Sequence, residues 1–128
     1  MDRAAYKAEE LKVSMSFAIF NSEHELMLFQ KMDNAIALSV ELSQAKASTA
    51  LKLSNDTDNF SYLVTKNAGI LSNIRYENSI SLIGGGKIIF ENGMIVGSIG
   101  VSGGTEEQDV EVALFAISDG MSATPGYI

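Results

Sequence analysis

Asn92-Gly93 stands between two runs of alternating side chains, Lys87 to Glu91 and Met94 to Val101. A two-residue type I′ turn wants positive φ at both central positions, and Asn-Gly supplies it at little steric cost. A link that short joins only antiparallel strands, because a parallel crossover takes about a dozen residues or more. The same period-two signature occurs near the start of the chain. Val13, Met15, Phe17 and Ile19 alternate with Ser14, Ser16 and Ala18, which predicts a strand over residues 13–20. Asn21-Ser22-Glu23-His24-Glu25 breaks the pattern. A second strand follows over residues 26–31, with Leu26 and Leu28 on one face and Met27 and Phe29 on the other. Apolar residues on both faces predict a sheet covered on both sides. Residues 79–83 read as a further strand, ended by Gly84-Gly85-Gly86.

Helical signals fill the gaps between the strand pairs. The first twelve residues mix both charge signs and read as a helix surface. Asp33 and Asn34 offer an N-cap for a helix over residues 35–51, whose stripe is Ala35, Leu38, Leu42, Ala45 and Thr49. Ser54-Asn55-Asp56 should end it. Signals weaken over residues 57–78, where Phe60, Leu63 and Val64 fit one short helix and residues 70–76 a second. Thr105 and Gln108 have capping-box spacing, and Glu106 and Glu107 suit the positive end of a helix dipole. Val110, Ala113, Leu114 and Ile117 then form a stripe, with Gly120 as C-cap and residues 121–128 as a frayed tail. The elements sum to an α+β fold: an antiparallel sheet of about five strands with helices on it, in three layers.

Composition narrows the function. The 128 residues make one domain, 1–128, long enough to bury roughly two-thirds of its unfolded surface without a metal or disulfide staple. There is no cysteine, so thiol chemistry and Cys-ligated metals are excluded. A net charge of −7 disfavours phosphate backbones and anionic membrane surfaces. No apolar stretch approaches the roughly 18–20 residues that span a bilayer. The apolar run after the first twelve residues is interrupted by Ser14 and Ser16, a poor signal peptide. The expected location is cytoplasmic, with neither nucleic acid nor membrane as partner.

Side chains able to do chemistry are few. His24 is the sole histidine, so a histidine cluster is impossible; flanked by Glu23 and Glu25, it reads as a solvated turn residue before an axial ligand or general base. Ser102 precedes two glycines, but no Gly-x-Ser-x-Gly elbow and no second histidine complete a triad. The glycine segment from Gly97 through Ser102, Gly103 and Gly104 lacks phosphate-loop spacing, and Glu106, Glu107 and Asp109 oppose a phosphate. Its glycines are expected to allow a tight strand-to-helix turn, with a non-phosphate ligand left open. Lys46 borders its helix stripe, either with its stem on the core and its amine in water, or reaching a ligand carboxylate, Asp33 or Asp109. Met32 fills core or acts as a soft ligand.

Several of these segments together resemble one family. Lys31-Met32-Asp33-Asn34-Ala35 is similar to its Arg-Met-Asp-Gly-Ala junction, Lys46-Ala47-Ser48-Thr49-Ala50 to its Lys-Ala-x-Thr-Ala helix, and Gly84-Gly85-Gly86 to its triple-glycine turn. Gly97-Ser98-Ile99-Gly100-Val101-Ser102-Gly103-Gly104, with Asp109 downstream, looks like its Gly-x-Ile-Gly-Val-Ser-Gly-Gly motif. This is the GlcG/HbpS family, which includes the C-terminal domain of PduO-type corrinoid adenosyltransferases, and the resemblance runs from about residue 4 to residue 118. It implies a profilin-like fold with a five-stranded antiparallel sheet, order 2-1-5-4-3, between helical layers. The strand at 13–20 would then lie centrally beside that at 94–101, with Lys31 and Lys87 in less protected places.

The resemblance also implies homo-oligomers and an association with haem, without one catalytic reaction. The departures are His24 at the family's turn glycine, Asn21 for an aspartate and Asn34 for a glycine. Met1 falls partway into the family's first helix, so a histidine upstream of it, a candidate haem ligand, would be missing. Tyr62, Tyr76 and Met32 remain as axial candidates. The expected function is a small accessory binding protein of a metabolic pathway, with haem or a related tetrapyrrole as ligand. The alternatives are an enzyme or sensor for a small organic acid, near Lys46, Asp33 and the glycine segment, and a structural oligomerisation module.

Overall fold

The computed structural model describes residues 2–58, 81 and 83–122. They form helix α1 (Asp2–Glu10), strands β1 (Ser16–Asn21) and β2 (Leu26–Lys31), helix α2 (Leu38–Leu53), strands β3 (Gly86–Glu91) and β4 (Met94–Ser102), and helix α3 (Glu106–Ser122). The strands make one antiparallel sheet in the order β2-β1-β4-β3. β1 and β4 are therefore central, as expected. Of the further strand expected at 79–83, Ser79, Ile80 and Leu82 lie outside the described residues, and neither Ser81 nor Ile83 is in a strand. The short helices expected within 57–78, and Tyr62 and Tyr76 with them, also lie outside, apart from Thr57 and Asp58.

Alternation decides what covers each face of the sheet. Phe17 pairs with Val101 and Ile19 with Ile99, giving one apolar face. Ala4 and Ala8 of α1, Met15, and Val112 and Ala113 of α3 complete that core. On the opposite face Ser16 lies opposite Ser102, Ala18 opposite Gly100 and Phe20 opposite Ser98. All of these but Phe20 are small, so α2 can approach closely. A Cβ on Gly100 would fall onto the Ser43 carbonyl oxygen and 2.6 Å from the Ala47 nitrogen. Ser98 Oγ donates to the Ala47 carbonyl at 2.7 Å, and the Ser16 and Ser39 hydroxyls meet at 2.8 Å. The three layers are α2, the sheet, and α1 with α3.

This packing corrects the expected helix stripe. α2 buries Ser39, Ser43, Lys46, Ala47 and Ala50, whereas Leu38 is exposed. A sheet face of glycine, serine and alanine selects small partners over leucine. The helix begins at Leu38 with Ala37 as a cap lacking a side-chain bond, so Asp33 and Asn34 do not cap it. Its end is where Ser54-Asn55-Asp56 put it: Ser54 is left-handed, φ 51° and ψ 42°, and its N–H bonds Ala50 and Leu51 carbonyls.

α3 starts with the expected reciprocal cap. Thr105 N–H donates to Gln108 Oε1 at 2.9 Å, and Gln108 N–H to Thr105 Oγ1 at 3.1 Å. The helix continues through Gly120 to Ser122, so Gly120 is no cap and the tail begins later than residue 121. Among its described side chains Asp109, Val112 and Ala113 are buried, while Leu114 faces water.

The two outer strands of the described sheet reverse their expected roles. β2 was expected to be covered on both faces, yet Leu26, Met27 and Leu28 are 45%, 57% and 53% exposed. Lys87 was expected in the open but is buried, with Asp58 at 3.3 Å and Asp56 at 3.5 Å. The N–H groups of Gly86 and Ile88 donate to Thr57 Oγ1 at 2.9 Å and Asp56 Oδ1 at 2.8 Å. Side chains from just beyond α2 thus take these β3 donors, which bury Lys87 as well.

Candidate functional site

Lys46 is 1% exposed, the reverse of an amine in water. Its Nζ donates to Asp109 Oδ2 at 2.7 Å and to the Val101 carbonyl at 2.9 Å. Asp109 Oδ1 accepts the Gly104 N–H at 3.0 Å, so one carboxylate ties α2 to the turn between β4 and α3. The triple-glycine turn closes over the pair. A Cβ at Gly85 would lie 3.0 Å from Lys46 Nζ and 3.1 Å from Asp109 Cβ, and Gly85 has φ 128°. Gly84 N–H donates to Glu106 Oε2 at 2.8 Å. Burial pushes the Asp109 carboxyl above the usual carboxylate range, against the opposing pull of Lys46 and of the Gly104 N–H. Lys46 and Asp109 are thus brought together in the interior, with Gly104 bonded to the carboxylate, while Ser102 and Gly103 precede Gly104 in the same segment and Gly103 and Gly104 are half-buried. Of the partners weighed for Lys46, the structure gives Asp109.

Met32 and Asp33 sit elsewhere. Met32 Sδ accepts the Met15 N–H at 3.3 Å, and Met32 N–H donates to the Met15 carbonyl at 2.9 Å, which fixes it as packing beside β1. Asp33 is exposed, and its carbonyl accepts from Lys31 Nζ at 3.3 Å. Both residues line a surface concavity of about 350 Å³ together with Glu9, Ser14 and Lys31. Gly103 adjoins it, since a Cβ there would meet the Ser14 carbonyl at 2.7 Å. A larger concavity of about 610 Å³ lies between the start of α1 and β2, lined by Asp2, Arg3, Leu28, Phe29 and Gln30. None of these five was singled out in the sequence as a site residue. The exposed apolar run in β2 was the available signal, and it read as core.

His24 is not simply solvated. Its Nε2 lies 2.7 Å from Ser48 Oγ on α2, and its ring packs on Phe20 with centroids 5.3 Å apart. Among the described residues no group of three or more His, Asp or Glu is placed to hold a metal ion, and no helix is long and apolar enough to cross a membrane.

The sequence profile of the family described as Haem degrading protein HbpS-like matches residues 1–118. The chain belongs to the HbpS-like family. It is similar to an uncharacterized 15.0 kDa protein of the dhaT-dhaS intergenic region in Citrobacter freundii, at 34% identity over 117 residues, 88% of this chain and 82% of that protein. The corrinoid adenosyltransferase PduO of the same organism is 29% identical over 116 residues, 90% of this chain but 35% of PduO. The chain therefore spans about a third of that relative's length. The crystal structure of the PduOC:Heme complex has the same fold, with a TM-score of 0.86 at 28% identity over 91% of this chain and 85% of that one. In this HbpS-like chain, three of the four motifs that carried the resemblance converge in space. The Lys46 helix, the triple-glycine turn and the Gly97–Gly104 strand meet at the Lys46–Asp109 pair.

Proposed function

We propose that this chain is a small accessory binding protein whose ligand is haem or a related tetrapyrrole. The observation that carries the reading is the likeness, over nine-tenths of the chain, to a structure described as a haem complex. The larger concavity supports it in part. Leu28 and Phe29 offer an apolar wall to a flat ring, and the Arg3 guanidinium suits a propionate. Its lining holds no His, Met, Tyr or Cys, so it fits the plane and carboxylates of the ligand but does not supply an axial partner for iron. Bound haem would bring iron-centred redox and gas-ligand chemistry; Arg3, Leu28 and Phe29 would hold the ring and keep water from one side of it.

Hemin titration is therefore expected to give a broad, modest Soret change that survives His24→Ala. Arg3→Glu should weaken binding about tenfold through loss of one charge-assisted contact. A sharp low-spin spectrum at stoichiometric hemin, abolished by His24→Ala, would place the ligand at the turn and sink this reading of the concavity.

A second reading places a small organic acid in the concavity lined by Met32 and Asp33, with Lys31 as the nearby cation. Retention of carboxylic-acid binding in Lys31→Ala would count against it.

We also propose that the chain forms a homo-oligomer. Leu26, Met27 and Leu28 are all exposed on an outer strand, apolar surface divided between the two faces of the sheet that a monomer seldom leaves wet. Light scattering at micromolar concentration should return a multiple of 13.7 kDa, and a mass near 13.7 kDa would refute it.

A further inference from the structure

His24 and Ser48 are brought together by the fold from a turn and a helix. His24 sits in the β1–β2 turn at φ 66°, a left-handed conformation that disfavours any residue with a Cβ. Holding a histidine there stores backbone strain, and the imidazole it presents is fixed on two sides. Its ring packs on Phe20, and its Nε2 is 2.7 Å from Ser48 Oγ. Ser48 differs from the other buried serines of α2. Ser39 and Ser43 donate back to the Ile36 and Val40 carbonyls, at 2.6 and 3.1 Å, the usual arrangement for a helical serine. Ser48 makes no such bond; among the described residues its hydroxyl is paired with His24 alone. In the tautomer that carries its proton on Nδ1, Nε2 accepts the Ser48 hydroxyl proton. His24 itself is exposed and Ser48 is 9% exposed, so the pair borders solvent.

We propose that Ser48 is a nucleophile towards small activated acyl esters, with His24 as its general base. A hydroxyl within hydrogen-bond reach of an oriented imidazole is the arrangement that makes serine reactive, and one histidine suffices for it. In the step, Ser48 Oγ forms a bond to the acyl carbon while its proton passes to His24 Nε2. The bond from that carbon to the leaving oxygen breaks, and the imidazolium returns the proton to the departing alcohol. Water then attacks the acyl-serine with His24 again as base, releasing the carboxylic acid and restoring the Ser48 hydroxyl. The site does not draw on Arg3 or Leu28, so it stands apart from the tetrapyrrole reading.

The test is p-nitrophenyl acetate with the full chain, following p-nitrophenolate release and locating the acetyl group by peptide mass spectrometry. The acetyl group should be on Ser48 and absent in Ser48→Ala. His24→Gly suits the left-handed backbone, so it keeps the turn while removing the base. Acetylation of Ser48 should then slow by about a hundredfold or more, the range of general-base assistance, and added imidazole should restore part of it. Acetyl groups found only on lysines or the chain terminus would overturn the proposal. So would Ser48 acetylation at an unchanged rate in His24→Gly.

Discussion

Replacing Lys46 by methionine should cost about 3–5 kcal/mol of stability at neutral pH, the penalty for stranding one partner of a buried ion pair. The stranded group is Asp109, whose side chain is 4% exposed and whose partner at 2.7 Å is lost. Acid should relieve the loss. Burial already raises the Asp109 carboxyl above its ordinary value, so the folded chain holds that proton more tightly than the unfolded chain does. Such a group's stabilising contribution is complete below the unfolded carboxyl's pKa, and it is lost as pH rises through the folded one. Without Lys46 the folded value climbs further, and the loss extends to higher pH. Urea melts from pH 4 to 8 should show the Lys46→Met deficit shrinking towards pH 4. Asp109→Asn should cost a comparable amount at pH 7, because it strands the buried Lys46 ammonium: with the amide oxygen accepting from Gly104 N–H, the amide NH2 is turned towards Lys46 Nζ. The double variant Lys46→Met/Asp109→Leu should recover most of the single loss. A deficit that stays constant with pH would show that Asp109 is not the group being stranded.

Gly100→Ala should be nearly as damaging, at about 3 kcal/mol, the upper part of the overpacking range. The new methyl would meet the Ser43 carbonyl and the Ala47 nitrogen, which are backbone atoms of a helix and cannot rotate away. Gly93→Ala is the contrast. Nothing lies within 4 Å of a Cβ there, so its cost is the φ of 79° alone, about 1–2 kcal/mol. If thermal melts placed the two variants level, the close seating of α2 on β4 would be wrong.

What the sequence disclosed was mostly local chemistry. Asn92-Gly93, the Thr105/Gln108 cap and the Ser54 stop are each set by the conformational preferences of a few neighbouring residues, and each is in place. The helix stripes were misjudged because leucine was taken to mark the core, whereas the opposing sheet face decided what fits. Leu38 and Leu114 face water, and Ser39 and Ser43 are buried. Lys46–Asp109 was weighed as one pairing among three, and only the fold could choose it. His24–Ser48 carries no signal in spacing at all, since a turn and a helix are joined there by packing alone. The apolar run of β2 misled for a related reason: alternation shows which residues share a face, but not whether anything covers that face.

The central strands also set the order in which the chain can become a protein. β1 leaves the ribosome well before its β4 partner, Gly97 to Ser102, which lies far along the sequence from it. Until β4 emerges, β1 has only β2 beside it, and a lone hairpin is marginally stable in water. The nascent chain therefore carries Phe17 and Ile19 without their β4 partners until residues 97–102 have followed. Pairing of such distant segments also slows folding after release, towards the millisecond-to-second range of domains built from non-local contacts. During that interval the chain depends on dilution or on chaperones to keep from sticking to its own copies.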